Sequence, residues 1–403
     1  MIDYEIDPET LHERLRDPAA AQAELDALLA AAQPEAPSRA MAWHTEIGNA
    51  ARLLQRLELA EHHQLCALQL ASRHGTPRQA VLARVRYAHV LQWQRRFDEV
   101  RTQFDRCIED VDDAGPAAHF VYQHAGKCAY DEGRWSRARE LFATALRLRE
   151  ADRADEALIA SSRLALDAAD ACAAAAAAAV ELHRLVPAVH AAARPHAAGL
   201  FAPVRPFVGF VVDIRTLLLH GAAPLAAVHA IHRYQPSVDK ALAALADRWL
   251  VVDGGTVVAT ARCTELLARA MTVFDDVCTE LWGEPGSLLS TVDAAVAAGR
   301  GTSGGAAFDA LADAGHPGGG TVAGRLFTGL CALRYHRADA HAAAWAAERL
   351  TARTVGELPD DHPTGQRIEA ATDRAAARPY RPLPHRDRLL ADLRALPGEP
   401  PSG

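Results

Sequence analysis

The sequence predicts a mainly α-helical chain in two parts: a superhelix of stacked helical hairpins, then a helical domain carrying one small β-hairpin. Three observations predict it. Small and bulky residues recur at helical spacing three times between residues 40 and 166. An alanine run, 168–180, is interrupted only by Asp170 and Cys172 before it ends at Val180. Further on, LVVDGGTVVAT (250–260) sets two β-branched runs around Asp253-Gly254-Gly255, a strong hairpin signal. With 403 residues, half of them apolar and 23% charged, the chain can bury more than one core.

In chain order, residues 1–33 predict a helix or two capping the array. The clearest repeat copy is Tyr122, Ala125, Gly126, Gly133, Trp135, Ala138, Phe142, Ala145 and Leu148. A second is Ala88, Leu91, Phe97, Val100, Phe104 and Cys107, and a third is Ile47, Gly48, Leu57, Ala60, Ala67 and Leu70. Glycine or alanine at the anchor position lets two antiparallel helices touch, and the Trp135, Phe97 or Leu57 knob fills the gap to the next hairpin. Gly75-Thr76-Pro77 and Ala114-Gly115-Pro116 mark breaks between hairpins, and Leu158–Asp167 predicts part of a capping helix.

Over residues 40–166 this pattern resembles the tetratricopeptide repeat (TPR) family. The small anchors at 48, 88 and 126 give periods of 40 and 38, longer than the family's usual 34, which predicts longer helices or turns. The resemblance implies a concave groove facing a protein or peptide partner. Carried onto this chain, the groove positions are Asn49, Arg52, His89, Gln92, Lys127 and Tyr130. Such side chains can hold a peptide backbone or a carboxylate.

These signals place a repeat domain at 1–167, an alanine-rich helical connector rather than a core element at 168–182, a second helical domain at 183–398, and a loose tail at 399–403. In the second domain, prolines punctuate residues 183–245. Pro224–Tyr234, a Gln235-Pro236-Ser237 turn and Val238–Trp249 predict helix, tight turn, helix, with Ser237 as N-cap. The hairpin and a helix at Glu265–Leu281 follow. Glycine-rich loops, Gly299–Gly305 and Gly315–Gly320, flank a short helix at 306–314. Thr321–Leu350 is a long helix, and further helices open at Gly365 and His385.

The order helix-turn-helix, hairpin, helix resembles MarR-like winged-helix regulators over about 50 residues. Residues 200–396 resemble a poorly characterised actinobacterial helix-turn-helix family with an Arg-x-His-Arg-Gly-Asp-Gly-His core and a closing Ile-Glu-x-x-Thr-Asp helix. Here Ala338 and Ala340 replace both glycines, and the segment matching the second winged unit is shortened to Thr351–Gly365. The resemblance implies transcription regulation, dimerisation or effector binding.

Charge narrows the partners. The formal net charge is −8, and Lys127 and Lys240 are the only lysines. Residues 1–180 carry 21 Lys+Arg against 28 Asp+Glu, and residues 181–403 carry 22 against 23, so neither part is a basic body for nucleic acid. The arginine skew with the Ala/Gly/Pro bias looks like GC-rich bacterial coding. The would-be recognition helix, 237–249, sets Lys240 and Arg248 against Asp239 and Asp247. Ser237, Lys240 and Arg248 are its candidate DNA contacts, few for a reader of phosphates and base edges.

The polar stretch Arg334-Tyr335-His336-Arg337-Ala338-Asp339-Ala340-His341 offers Arg334, His336, Arg337, Asp339 and His341 as a candidate small-molecule pocket. The bland alternative is a helix tied by ion pairs to the one bearing Glu369 and Asp373. The spacing is not the H-x-x-x-H of a zincin. No P-loop, nucleophile elbow or spaced cysteine set stands out, so neither a cofactor nor a metal nor a catalytic residue is expected. The acidic start MIDYEID carries no signal sequence, and the seven scattered cysteines do not form a disulfide framework. A cytoplasmic protein without a membrane partner is expected. Two functions stand open: a regulatory adaptor using the groove, or a protein of specialised metabolism that binds or processes a small molecule.

Overall fold

The computed structural model describes residues 2–235, 237–359 and 361–398, so Pro236 of the expected turn and the expected loose tail at 399–403 lie outside the described residues. The chain is mainly helical with two small sheets. It divides into two compact units, Met1–Asp170 and Ala171–Gly403.

Unit 1 does not begin as expected. Two short strands, β1 (Tyr4–Ile6) and β2 (Glu13–Leu15), pair antiparallel with Ile6 opposite Glu13. Helix α1 (Pro18–Ala30) then starts where Asp17 accepts the Ala20 N–H (2.9 Å) and Pro18 occupies the first turn. The array follows: α2 (Pro37–Leu53), α3 (Leu57–His74), α4 (Pro77–Trp93), α5 (Phe97–Glu109), α6 (Val111–Ala114), α7 (Ala118–Asp131) and α8 (Trp135–Ala151). Thr76 and Gln79 form a reciprocal capping box at the head of α4.

Pairs α2/α3, α4/α5 and α7/α8 are helical hairpins closed by one recurrent turn. Gln55, Arg95 and Gly133 take φ of 61°, 62° and 76°. The next amide returns to the carbonyl five residues back: Arg56 to Ala51 (2.8 Å), Arg96 to Leu91 (3.1 Å) and Arg134 to Ala129 (2.9 Å). These turns are spaced 40 and 38 residues apart, the intervals of the small anchors. Close approach explains the anchors. A Cβ at Gly48 would stand 2.6 Å from Gln64, and one at Gly126 would stand 2.6 Å from the Phe142 ring. Trp135, Phe142 and Phe104 are buried between helices, while Phe97 and Leu57 are half-buried.

Helix α9 (Glu156–Ala197) crosses the division between the units. Its alanine stretch was expected to be a connector, but Ala171, Cys172, Ala174, Ala175 and Ala178 are buried, as are Leu185 and Val189 further along. Alanine gives up no side-chain rotamers on burial and lets neighbouring backbones come close, so a weakly hydrophobic run still forms a packed face. By length and composition α9 could cross a membrane, but 56% of its apolar window is buried inside the protein.

Unit 2 continues with α10 (Val208–Asp213), α11 (Arg215–His220), β3 (Ala223–Pro224), α12 (Leu225–Ile231) and α13 (Val238–Leu245). The expected hairpin is β4 (Leu250–Asp253) and β5 (Thr256–Ala259), turning through Gly254 (φ 53°) and Gly255 (φ 82°). The two-residue β3 pairs with β5 as a third strand, too short to read from sequence. Then come α14 (Ala261–Trp282), α15 (Gly286–Gly299), α16 (Ala306–Ala314), α17 (Val322–Ala347), α18 (Ala352–Gly356), α19 (Pro363–Ala376) and α20 (Arg386–Ala395). Phe274 of α14 stacks on Phe327 of α17 with ring centroids 5.8 Å apart, at the centre of this core.

Candidate functional site

The groove residues converge, on α2, α4 and α7, but they do not face an open surface. Arg52, His89, Gln92, Lys127 and Tyr130 are buried, and Asn49 is half-buried, accepting a hydrogen bond from Gln64 Nε2 (3.0 Å). The space they surround is filled by the chain's own residues 9–13. Glu13 is 8% exposed and lies between two cations: Lys127 Nζ donates to its Oε1 (2.7 Å) and Arg52 to its Oε2 (3.0 Å). Burial would raise the Glu13 carboxyl, but Lys127 and Arg52 outweigh it and hold the group well below the usual carboxylate range. His12 stacks on Trp93 (4.8 Å) and meets Asp131 (2.9 Å), which also accepts from Gln92 (2.7 Å). The Tyr130 hydroxyl donates to the Glu9 carbonyl (2.7 Å). Trp93 Nε1 donates to His89, whose burial keeps its ring neutral by pushing its pKa far down. The expectation of a vacant groove is therefore corrected: these side chains already hold an acidic segment that turns at residues 8–10.

The Arg334–His341 stretch divides by helical face. His336 and Asp339, three residues apart on α17, point inward rather than into a pocket. His336 is 1% exposed, bonds the Thr302 hydroxyl (2.9 Å), and is pushed down to about 4 by burial. Asp339, equally buried, accepts from Arg233 and from the Phe308 N–H (2.9 Å), so it secures the first turn of α16. Gly305 admits it, because a Cβ there would stand 2.5 Å from its carboxyl carbon. These two residues belong to the core, which corrects their place in the expected pocket.

Arg334, Arg337 and His341 line a cleft of about 430 Å3 with Asp213, Arg233 and Tyr335, a volume suited to a small organic ligand. Most of its charges are already engaged. Arg337 bonds Asp373 and Glu369 (2.9 Å to the latter), tying α17 to α19 as the ion-pair alternative expected. Arg233 also donates to the Ala338 carbonyl (2.6 Å), and the Tyr234 hydroxyl meets His341 Nδ1 (2.9 Å).

Arg334 differs. It is half-buried and, among the described residues, makes no hydrogen bond or ion pair. Asp213, at the end of α10, faces the same cleft, and its nearest basic atom is His232 Nδ1 at 3.8 Å. Burial pushes the Asp213 carboxyl above its usual range while Arg215 and Arg334 pull it down. Arg215 fixes this corner, sitting over the Phe274 ring (4.3 Å) and donating to the Val212 carbonyl (2.7 Å). Sequence reading missed Asp213 and Tyr335; Asp213 lies in an apolar stretch more than a hundred residues from Arg334, with no spacing to join them.

The candidate DNA contacts Ser237, Lys240 and Arg248 are exposed, but α13 stops at Leu245, short of the expected Trp249. Ser237 does stand at the N-cap position, but its side chain makes no capping bond. Asp239 and Asp247 share the exposed surface with Lys240 and Arg248. Among the described residues no group of three or more His, Cys, Asp or Glu side chains is placed to hold a metal. Compared with protein-family models, curated proteins and solved structures, the chain matches none.

Proposed function

We propose that unit 2 is a receptor for a small polar molecule bearing an acid group, bound in the cleft of α10, α17 and α19. The observation that carries this reading is Arg334: a half-buried guanidinium at a cleft wall, without a protein partner, beside arginines whose partners are all in place. A carboxylate or phosphate fits its fork geometry. Asp213 across the cleft supplies a site for a hydroxyl or amino group on the same ligand.

In this reading the segment from α12 to α14, with its hairpin, is a winged-helix-like scaffold used for support rather than as a DNA reader. On residues 237–249, the two exposed cations Lys240 and Arg248 are offset by the exposed Asp239 and Asp247, which supports that choice. The adaptor reading through a TPR-like array is displaced to second place because the groove is full. Native mass spectrometry of the full chain purified from its own host tests the proposal. Wild-type protein should carry a small acid that leaves on denaturation, and Arg334→Gln should retain it about 10- to 100-fold less. Ligand-free wild type, or equal retention by both proteins, overturns it.

A further inference from the structure

The segment that fills the groove of unit 1 has the features of a ligand rather than of a core element. Its two strands have three residues each, too short to be stable without the helices beneath them. Leu11, buried to 1%, is reached only by a backbone with φ 59°, a left-handed conformation that costs a β-unbranched residue about 1 kcal/mol. The contacts made by residues 9–13 are those of a bound peptide: a backbone carbonyl on Tyr130, a ring on Trp93, a carboxylate on Lys127 and Arg52.

Energetics point the same way. Desolvating three charges offsets most of their mutual attraction, so such a buried triad selects its occupant more than it tightens the fold. Arg52 and Lys127 also set a demand on any substitute. Left in the buried groove without an anion they are costly, so water or another carboxylate must enter when Glu13 leaves. One core cluster of the array, Leu25 of α1 with Ile47, Ala50 and Ala51 of α2, Ala60 of α3 and Val90 of α4, includes none of residues 7–15.

We infer that residues 7–15 are an exchangeable internal ligand, and that the groove's external partner is an acidic peptide segment carrying a leucine two residues ahead of a glutamate. Such a peptide repeats the turn at residues 8–10 and the left-handed step at Leu11, which together set its leucine in the Leu11 niche and its glutamate on Lys127 and Arg52. Residues 5–13 themselves carry Glu5, Asp7, Glu9 and Glu13 with no lysine or arginine, an acidity matched to the two cations at the base of the groove.

Two measurements on the full chain test this. By hydrogen exchange of the wild type, the Leu11 and Arg16 amides, bonded to the Asp7 and Asp3 carbonyls, should exchange at least 100-fold faster than the mid-helix amides of α4 and α7. Exchange of both sets at one common rate overturns the inference, because the segment then leaves only when the unit unfolds. The second measurement uses a fluorescent synthetic peptide copying residues 5–16. It should bind a Leu11→Asp chain at least tenfold tighter than wild type, and a peptide with glutamine in place of its Glu13 should bind that chain at least tenfold more weakly than the parent peptide. No peptide binding to a Leu11→Asp chain whose circular dichroism is native overturns the inference. If that variant does not fold, hydrogen exchange on the wild type decides. Neither readout depends on the cleft of unit 2.

Discussion

Unit 1 and unit 2 each gather basic side chains around a concavity, and they treat them differently. In unit 1, Arg52 and Lys127 share the carboxylate of Glu13, 39 and 114 residues away along the chain. In unit 2, Arg233 and Arg337 are likewise satisfied by Asp339, Glu369 and Asp373, but Arg334 beside them is not. A cation with its anion built in stabilises a conformation; a cation without one waits for a solute. The sequence shows arginine in both places, and only the three-dimensional pairing tells one use from the other.

The contrast can be broken by removing charges one at a time. Asp339→Ala should be the most damaging substitution, because it strands Arg233 and leaves the Phe308 amide without its acceptor: about 3–5 kcal/mol of unit 2 stability, read from urea unfolding. Acid, taken over its whole window, exceeds any one substitution. His336 and His232 are held down to about 4, below the value of about 6.5 in the unfolded chain. The unfolded state therefore takes up protons that the folded state refuses. Stability should be level above pH 6.5 and fall between pH 6.5 and 4, by about 1.4 kcal/mol per pH unit for each histidine. His336→Gln should flatten that slope by one histidine's share.

Lys127→Met comes third, at about 1–3 kcal/mol, because Arg52 still shares the Glu13 carboxylate. Glu13 adds its own pH dependence with a different window: its depressed carboxyl contributes stability above the ordinary carboxylate range, and this is lost as pH falls through the lower folded-state value. Smallest of all is Arg334→Gln. With no protein partner to lose, it should shift unfolding of the ligand-free protein by less than about 0.5 kcal/mol. A loss of several kcal/mol there would place Arg334 among the structural arginines and end the contrast.

Much of the fold was legible because it is local. Helical hairpins follow from the 48, 88, 126 anchors, and the same intervals reappear in the turns at 55, 95 and 133. The β4–β5 hairpin follows from Gly254 and Gly255, whose positive φ an L-residue resists. The candidate sites were legible only in part. Arg52 and Lys127 were among the groove positions that the repeat resemblance implied, but no periodicity marks Glu13 or Leu11 as their company. Similarly, Arg334, Arg337 and His341 were readable as neighbours on one helix, while Asp213 enters the cleft through tertiary packing alone. Burial of the alanines in α9 escaped notice for another reason: hydrophobicity scales rate a methyl group low, whereas close packing rewards its small size.

The recurrent left-handed turn has a consequence for how this chain could change over generations. Each of the three hairpins is closed by the same hydrogen-bonded joint, so a block of some forty residues cut between neighbouring copies carries its own hinge geometry with it. Duplication or loss of a block would lengthen or shorten the array without redesigning a junction, and relatives of this chain are expected to differ in hairpin number sooner than in the shape of any one corner.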